Sequence, residues 1–497
     1  MFKKILIANR GEIAVRIIKA CKELGITSAA VYSDADITSL HTRLADESYH
    51  LGGSPATESY LNKTKILELA KSIGADAIHP GYGFFSENAD FIESVEKSGI
   101  TFIGPSSKSV KMMGSKTAAR NLMTNCKVPV VPGTTEAIAD VDSGIAAAEK
   151  IGYPVLLKAA AGGGGKGMRK VSSSDEFKNA FESTKREALK SFANDDIYIE
   201  KFIENPKHIE VQIIADKHGN YRHVFERECS IQRRHQKIIE ESPSAFVDEA
   251  TRRRITAEAI KAAKACDYFN AGTIEFLMDA NREFYFLEMN TRIQVEHPVT
   301  ELISGIDLVK EQISIAAGNK ISFEQDDIKI NGYALECRIY AEDPDNGFLP
   351  STGKLYAYTE PNGIGVRVDS GFSEGSEISI YYDPMIAKLI CYDSSRDKAI
   401  ERMKRALDEF SIFGVTNNIN FLKQIINSSG FVEGNYDINF IDNKNYQMDI
   451  NDNVLAKSSE YEEAAAIFIS LVKSMQVNKK AANSLQSTNN WWTQNHE

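Results

Sequence analysis

The sequence predicts a protein of mixed α/β and α+β class with more than one domain, and three observations lead there. Its 497 residues exceed the roughly 250 to 300 at which a single hydrophobic core stops growing. The first hundred residues alternate strand-like and helix-like segments, the pattern of a parallel sheet. From about residue 114 this alternation gives way to glycine-rich and charge-rich stretches between long strands.

The opening is a β-α-β unit. Lys3 to Ala8 reads as a strand, Glu12 to Leu24 carries apolar residues at helical spacing, and Ser28 to Tyr32 reads as a second strand. Helical stretches at Lys63 to Ile73 and Phe91 to Ser98 then precede strands at Ala75 to His79 and Thr101 to Gly104. This gives a first domain over 1–113. A second, α+β domain is expected over 114–330, with strands such as Ile209 to Ala215 and Arg222 to Glu226. From Gly332, β-branched and aromatic residues dominate until a helix at Arg396 to Glu409, which predicts a third, mostly antiparallel module over 331–446. The tail 447–497 holds a helix-like stretch at Glu460 to Ser474 and then Trp491 and Trp492 among polar residues. Large aromatics so placed suit docking to a partner chain or packing back onto the body.

Hydrophobic residues make up 42% and charged residues 26%, which is globular composition. The net charge of −11 comes without a dense run of Lys and Arg, which argues against nucleic acid or an anionic membrane as partner. No stretch approaches 18 uncharged apolar residues, and the first residues lack the pattern of a signal peptide. The six cysteines have no CxxC spacing, so neither a zinc site nor a disulfide framework is expected. A soluble, reducing, cytoplasmic setting is the expectation.

Gly162 to Gly167 formally satisfies GxGxxG, a pattern that demands a strand before it and a helix after it. The strand is there, at Val155 to Ala159, but Met168 to Val171 reads as another strand. The loop therefore closes a hairpin, which disfavours dinucleotide binding. It also fails as a Walker A loop, because Ala160 stands where the first glycine belongs and Gly167 follows Lys166. A glycine hairpin carrying a lysine can lay backbone N–H groups and a positive charge over a triphosphate, or it can be a plain connector.

Thr273 to Met278 and Phe284 to Met289 read as a second hairpin, joined through Asp279 to Glu283. A loop of two or four residues places Glu275 directly opposite Glu288. Such like charges destabilise a strand pair, and a divalent cation relieves the penalty. Oxygen ligands suit Mg²⁺ or Mn²⁺, and Asn290 lies on the same face as Glu288. The alternative is a solvated edge hairpin. Downstream, Asn290, Arg292, Gln294 and Glu296 alternate with Ile293 and Val295, giving a polar face on which Arg292 offers a fork for a carboxylate or bicarbonate and Glu296 a base. Five polar groups from Glu288 to Glu296 would stretch over ~26 Å if extended, so the chain must bend to gather them. The run Arg227 to Lys237 is rich in donors that suit phosphate, yet by itself reads as a solvated basic surface, and Cys229 within it reads as a packed cysteine.

At these residues the sequence resembles the biotin carboxylase family of the ATP-grasp superfamily. The resemblance runs from Lys4 to about Phe440, through Asn9 to Ala14, His79 to Phe84, the glycine loop, the Arg227 to Lys237 run, and Glu288 to Glu301. It implies an N-terminal Rossmann-like (pre-ATP-grasp) domain, an ATP-grasp domain with a mobile lid at about 130–203, and a C-terminal biotin carboxylase domain. It also implies ATP, two Mg²⁺ or Mn²⁺ ions, and biotin as a substrate carried on another protein.

Lys116, Lys158, Glu200 and Lys201 match the family's ATP-contacting positions, with Gly163, Gly164, Gly165, Lys166, Gly167 and Met168 in the glycine hairpin. Ile203 and Leu277 match residues lining the adenine, and His208, Gln232 and His235 match positions near ribose and phosphates. Glu275, Glu288 and Asn290 match the metal site. Lys237, Arg292, Gln294 and the backbone of Val295 match the bicarbonate site, and Glu296 the base that deprotonates bicarbonate for attack on the γ-phosphate to give carboxyphosphate. Arg338 matches the residue that stabilises the biotin enolate, and Tyr82 lines the biotin pocket.

The Met-Lys-Met segment that bears biotin in multi-domain members is absent. The implied partners are therefore a biotin carboxyl carrier protein, a carboxyltransferase subunit and a second copy in a homodimer. The final acceptor, acetyl-CoA, propionyl-CoA, another acyl-CoA or pyruvate, is left open. A different ATP-grasp ligase would share the metal hairpin without Arg338 and the 292–296 pattern, and an inactive binding module would have lost at least one ligand.

Overall fold

The computed structural model describes residues 1–447 apart from 135, 160–167, 193, 194 and 235, with the backbone alone at 116, 191 and 192. Met1–Asn445 forms one compact unit and Tyr446–Glu497 a second. The predicted helix at Glu460 to Ser474 and the two tryptophans lie outside the described residues.

The N-terminal sheet is parallel throughout: β1 (Lys4–Ile7), β2 (Thr27–Ser33), β3 (Glu47–Gly52), β4 (Ala77–His79) and β5 (Thr101–Phe102), in the order β3-β2-β1-β4-β5. Ile5, Leu6 and Ile7 are fully buried, as a central strand covered on both faces requires. The turn from β1 into the helix α1 (Gly11–Glu23) uses Gly11 at φ 64°, a conformation costly for any other residue. Strand β3 went unread in the sequence because Glu47, Tyr49 and His50 give it the polar texture of a sheet edge.

A small sheet, β7-β6-β8, follows, with β6 (Val155–Ala159), β7 (Met168–Val171) and β8 (Ile197–Lys201). Its β6–β7 pairing is antiparallel and sets Lys158 opposite Met168, so the glycine segment does join a hairpin. Helices Val141–Ile151 and Ser174–Phe192 belong with it, and Phe177, Phe181, Leu157 and Ile199 form a core of its own.

The main sheet is antiparallel: β9 (Lys207–Ala215), β10 (Tyr221–Arg233), β11 (Gln236–Ser242), β12 (Asn270–Met278), β13 (Phe284–Asn290) and β14 (Tyr333–Tyr340), extended by strands Met385–Asp393 and Val366–Ser370. Its order is β13-β12-β9-β10-β11-β14 followed by those two strands. The strands beyond residue 331 are antiparallel, as expected, and the longest of them continue this sheet. Alternation on β9 and β12 assigns its faces. Ile209, Val211, Ile213, Ile274, Phe276 and Met278 enter one core with the helix Glu249–Ala265, while His208, Glu210, Gln212, Thr273 and Glu275 point to the other side. Among the described residues no helix is long and apolar enough to cross a membrane.

Candidate active site

The β12–β13 hairpin sets the first element of the site. Its connection is five residues long, which corrects the expected loop of two or four. Met278 pairs with Phe284 and Phe276 with Phe286, a register that would set Glu275 opposite Leu287. A bulge between Phe276 and Glu275 absorbs the half-exposed Leu287 and shifts the ladder by one, so Glu275 faces Glu288 after all. Across β12 and β9, Glu275 pairs with Glu210, and Glu210 in turn pairs with Arg227 of β10. Three carboxylates and a guanidinium thus stand in one row over four strands.

Lys237 and Arg227 make this row tenable. Lys237 Nζ donates to Glu210 at 2.5 Å, to Glu275 at 2.9 Å and to Glu296 at 2.6 Å. Arg227 has no exposed surface, which corrects its reading as part of a solvated basic surface. It donates to Glu210, Gln212, Thr273, Gln294 and Thr300. Cys229 is packed, as expected, and burial pushes its thiol well above the usual range.

After Asn290 the chain leaves the sheet, so the alternating segment is a bend and not a strand. It runs into the helix His297–Ser304, started by Pro298 and closed by Gly305 at φ 74°. Gln294 turns inward, donating to Glu275 at 2.9 Å and accepting from Arg227 at 2.9 Å. Arg292 donates to Glu87 at 2.8 Å and to Asn290 at 2.9 Å, and Asn290 donates to Glu275 at 2.8 Å. The carbonyl of Val295 accepts from Lys388 at 2.8 Å. Glu296 is 1% exposed; one oxygen meets Lys237 and the other accepts from Arg338 of β14 at 2.9 Å.

These contacts set the protonation states. Burial opposes charge on Glu296, but Lys237, Arg338 and Arg227 outweigh it and hold its carboxyl well below the usual range. Glu275 is likewise buried, and Lys237 and His208 hold it low as well. Burial works against the ammonium of Lys237, yet Glu210, Glu275 and Glu296 raise it well above the ordinary lysine range. Glu12 accepts from Tyr82 and lies 3.2 Å from Lys388. Burial wins there over Lys388 and moves its carboxyl up to about 7.

Of the residues matched to nucleotide contacts, His208 lies 3.1 Å from Glu275, Leu277 pairs with His208 across β12 and β9, and Gln232 pairs with Lys237. Lys158 and Glu200 form an ion pair on the small sheet, with Arg120 3.0 Å from Glu200. The Lys201 ammonium is tied to the carbonyls of Gly152 and Tyr153 at 2.8 and 2.9 Å, and its backbone N–H donates to the Pro132 carbonyl at 2.7 Å. Met168 is half-exposed at the start of β7, and Ile203 is half-buried just after β8. Gly163, Gly164, Gly165, Lys166, Gly167, His235 and the Lys116 side chain lie outside the described residues.

Sequence reasoning missed Glu210, Glu240, Glu87 and Lys388. A signal for Glu210 existed: an acid embedded in the apolar strand Ile209-Glu210-Val211-Gln212-Ile213 has to point at a partner.

A divalent cation fits the hairpin. Glu275 and Glu288 offer hard oxygen donors from facing positions, and Lys237 compensates Glu275 from its far side. His208 Nε2, buried, lies 3.1 Å from Glu275 Oε2 at the same place.

Comparison with known proteins gives matches over most of the chain. Residues 1–110 match the biotin carboxylase N-terminal domain, 115–324 the carbamoyl-phosphate synthase L chain ATP-binding domain, and 336–443 the biotin carboxylase C-terminal domain. Biotin carboxylase 1 of Bacillus subtilis is 51% identical over 443 residues, covering 89% of this chain and 98% of that one. The mitochondrial propionyl-CoA carboxylase alpha chain of Sus scrofa is 52% identical over 442 residues, 88% of this chain, which spans 60% of the length of that relative. Among solved structures, the biotin carboxylase domain dimer of Hydrogenobacter thermophilus 2-oxoglutarate carboxylase, in complex with MgADP, ADP and bicarbonate, aligns with a TM-score of 0.82 at 47% identity, covering 90% of this chain and 99% of that one. With all three segments matched in order and half of the residues shared with a relative of nearly equal extent, the chain belongs to the biotin carboxylase family of ATP-dependent, ATP-grasp ligases.

Proposed function

We propose that this chain uses ATP and bicarbonate to carboxylate biotin presented by a separate carrier protein, with Glu296 as the base and Arg338 as the cation of the biotin step. The observation that carries the assignment is the bridging position of Glu296, with Lys237 and the acidic row on one side and Arg338 on the other. A base placed there serves the phosphoryl half of the reaction while touching the group that serves the biotin half.

In this reading Lys237, Arg292, Gln294 and the Val295 backbone take up bicarbonate. An arriving anion competes for Lys237 and Arg338, and every contact they surrender makes Glu296 a stronger base when the proton must move. The deprotonated bicarbonate attacks the γ-phosphate and expels ADP, and the carboxyphosphate so formed breaks into CO₂ and phosphate beside biotin, near Arg338 and Tyr82. Glu275, Glu288 and Asn290 would hold Mg²⁺ or Mn²⁺, which supplies charge neutralisation at phosphoryl oxygens when bound. Lys158, Lys116 and the glycine hairpin cover the triphosphate, and the small sheet over 130–203 acts as a lid that excludes water.

The partners proposed are a biotin carboxyl carrier protein, a carboxyltransferase subunit and a second copy of the chain. We assign the half-reaction to an acetyl-CoA or related acyl-CoA carboxylase of the cytoplasm, in keeping with six free cysteines. The test is ATP cleavage assayed with and without bicarbonate and free biotin. Cleavage that requires bicarbonate, with carboxybiotin formed when biotin is added, is expected; cleavage indifferent to bicarbonate overturns the assignment. Mass spectrometry of co-purifying subunits tests the acceptor.

A further inference from the structure

Behind Arg338 lies a second pair of opposed acids that the mechanism above does not use. Glu240 of β11 pairs directly with Glu336 of β14, and both are wholly buried. One oxygen of Glu240 accepts from Arg338 Nε at 2.6 Å. Its other oxygen, and both oxygens of Glu336, have no hydrogen-bond partner among the described residues. Facing carboxylates at this spacing repel strongly without water to screen them. Arg338 favours the negative charge on Glu240, its direct partner. Burial raises both acids, Glu240 to about 7 and Glu336 well above the carboxylate range.

The guanidinium is thereby held by two carboxylates. Glu240 takes Nε at 2.6 Å and reaches Nη2 at 2.5 Å, while Glu296 shares that Nη2 at 2.9 Å, so the Nε contact is Glu240's own. Asn418 fixes the Arg338 backbone, donating to its carbonyl at 3.0 Å. A residue held only by Glu296 would follow that acid whenever it changed protonation.

We propose that Glu240 is a positioning residue for the biotin step, holding Arg338 in place by its Nε while Glu296 cycles between charged and neutral forms. The proposal rests on the reading that Arg338 serves that step.

The test measures carboxybiotin formed per ATP cleaved, the KM for ATP and the melting temperature of the full chain. With Glu240→Gln the carboxybiotin ratio is expected to fall about tenfold or more, as a slackened catalytic cation should, with ATP KM within about twofold. Glu240→Asp, which keeps the charge on a shorter arm, is expected to recover part of the ratio, and it carries the test alone should the amide variant fail to fold. An unchanged ratio in both variants, or ATP cleavage falling in step with carboxybiotin, overturns the positioning role. Arg338→Ala separates the two levels: if that variant carboxylates biotin normally, the reading of Arg338 itself fails, whatever Glu240 does.

Discussion

Lys237 Nζ lies 2.6 Å from Glu296 Oε1 while reaching Glu210 and Glu275 with its other hydrogens. The proposed base thus begins each cycle as the anion of a buried ion pair. Glu296→Gln keeps the shape but accepts no proton. Bicarbonate-dependent ATP cleavage should drop by about a hundredfold or more, with ATP affinity by calorimetry within about twofold. Turnover near that of the parent protein would refute the base assignment.

Replacing Lys237 itself tests the row of acids. Lys237→Met leaves three buried carboxylates without their shared cation and should cost about 3–5 kcal/mol at pH 8 by denaturant unfolding. The pH dependence should flatten. In the parent protein Glu275 and Glu296 are held low, so their contribution is present above the unfolded carboxylate range and is lost as pH falls. Without the ammonium the hold on those acids weakens, although Arg338, Arg227 and His208 remain, and the variant should lose less stability than the parent as pH falls. Parallel profiles for the two proteins would show that Lys237 does not hold the row.

The two hairpin glutamates test the metal site. Either Glu275→Gln or Glu288→Gln should raise the Mg²⁺ concentration needed for half-maximal ATP cleavage by about tenfold or more. Glu275→Gln should also lower apo stability, because Glu275 is buried against Lys237, Asn290 and Gln294. Melting curves in chelator, set beside Mg²⁺ titrations, decide this. Equal losses of apo stability with unaltered Mg²⁺ dependence would make both residues structural.

Asp36 predicts the acid limb of the N-terminal sheet. Burial disfavours its charge, but two bonds from Arg10 at 2.7 Å and one from Tyr60 at 2.6 Å lower it to about 2. Its folded value lies below its unfolded one, so its contribution is complete above about pH 4 and is lost as pH falls towards 2. Asp36→Asn should cost about 2–4 kcal/mol at pH 7 and little at pH 2. A cost that does not vary with pH would assign the loss to packing.

The parallel opening sheet, the β6–β7 hairpin and the β12–β13 hairpin were legible because each rests on local periodicity or on turn residues. So was the facing of Glu275 and Glu288, although the expected loop length was wrong and only the bulge at Leu287 restored the pairing. A bulge is decided by strand packing and leaves little trace in composition. Arg227 was misread because a cationic run carries no mark of which member turns inward. Its partners Gln212, Thr273, Gln294 and Thr300 come from segments up to 73 residues away. Glu240 and Glu336 were invisible for a related reason: their opposition depends on the β11–β14 register, which joins strands separated by some ninety residues of chain.

That same junction bears on how the polypeptide can be divided. Ile239 to Ser242 pair with Ala334 to Cys337, and a break near residue 330 would strip both strands of their neighbour. Each half would then display an open strand edge with unpaired backbone groups, which invites self-association. The two halves should stay soluble only when made together, regaining the missing ladder by pairing their open strands with one another. A split version of this enzyme would act as a reporter of proximity, its activity returning when its two fragments meet.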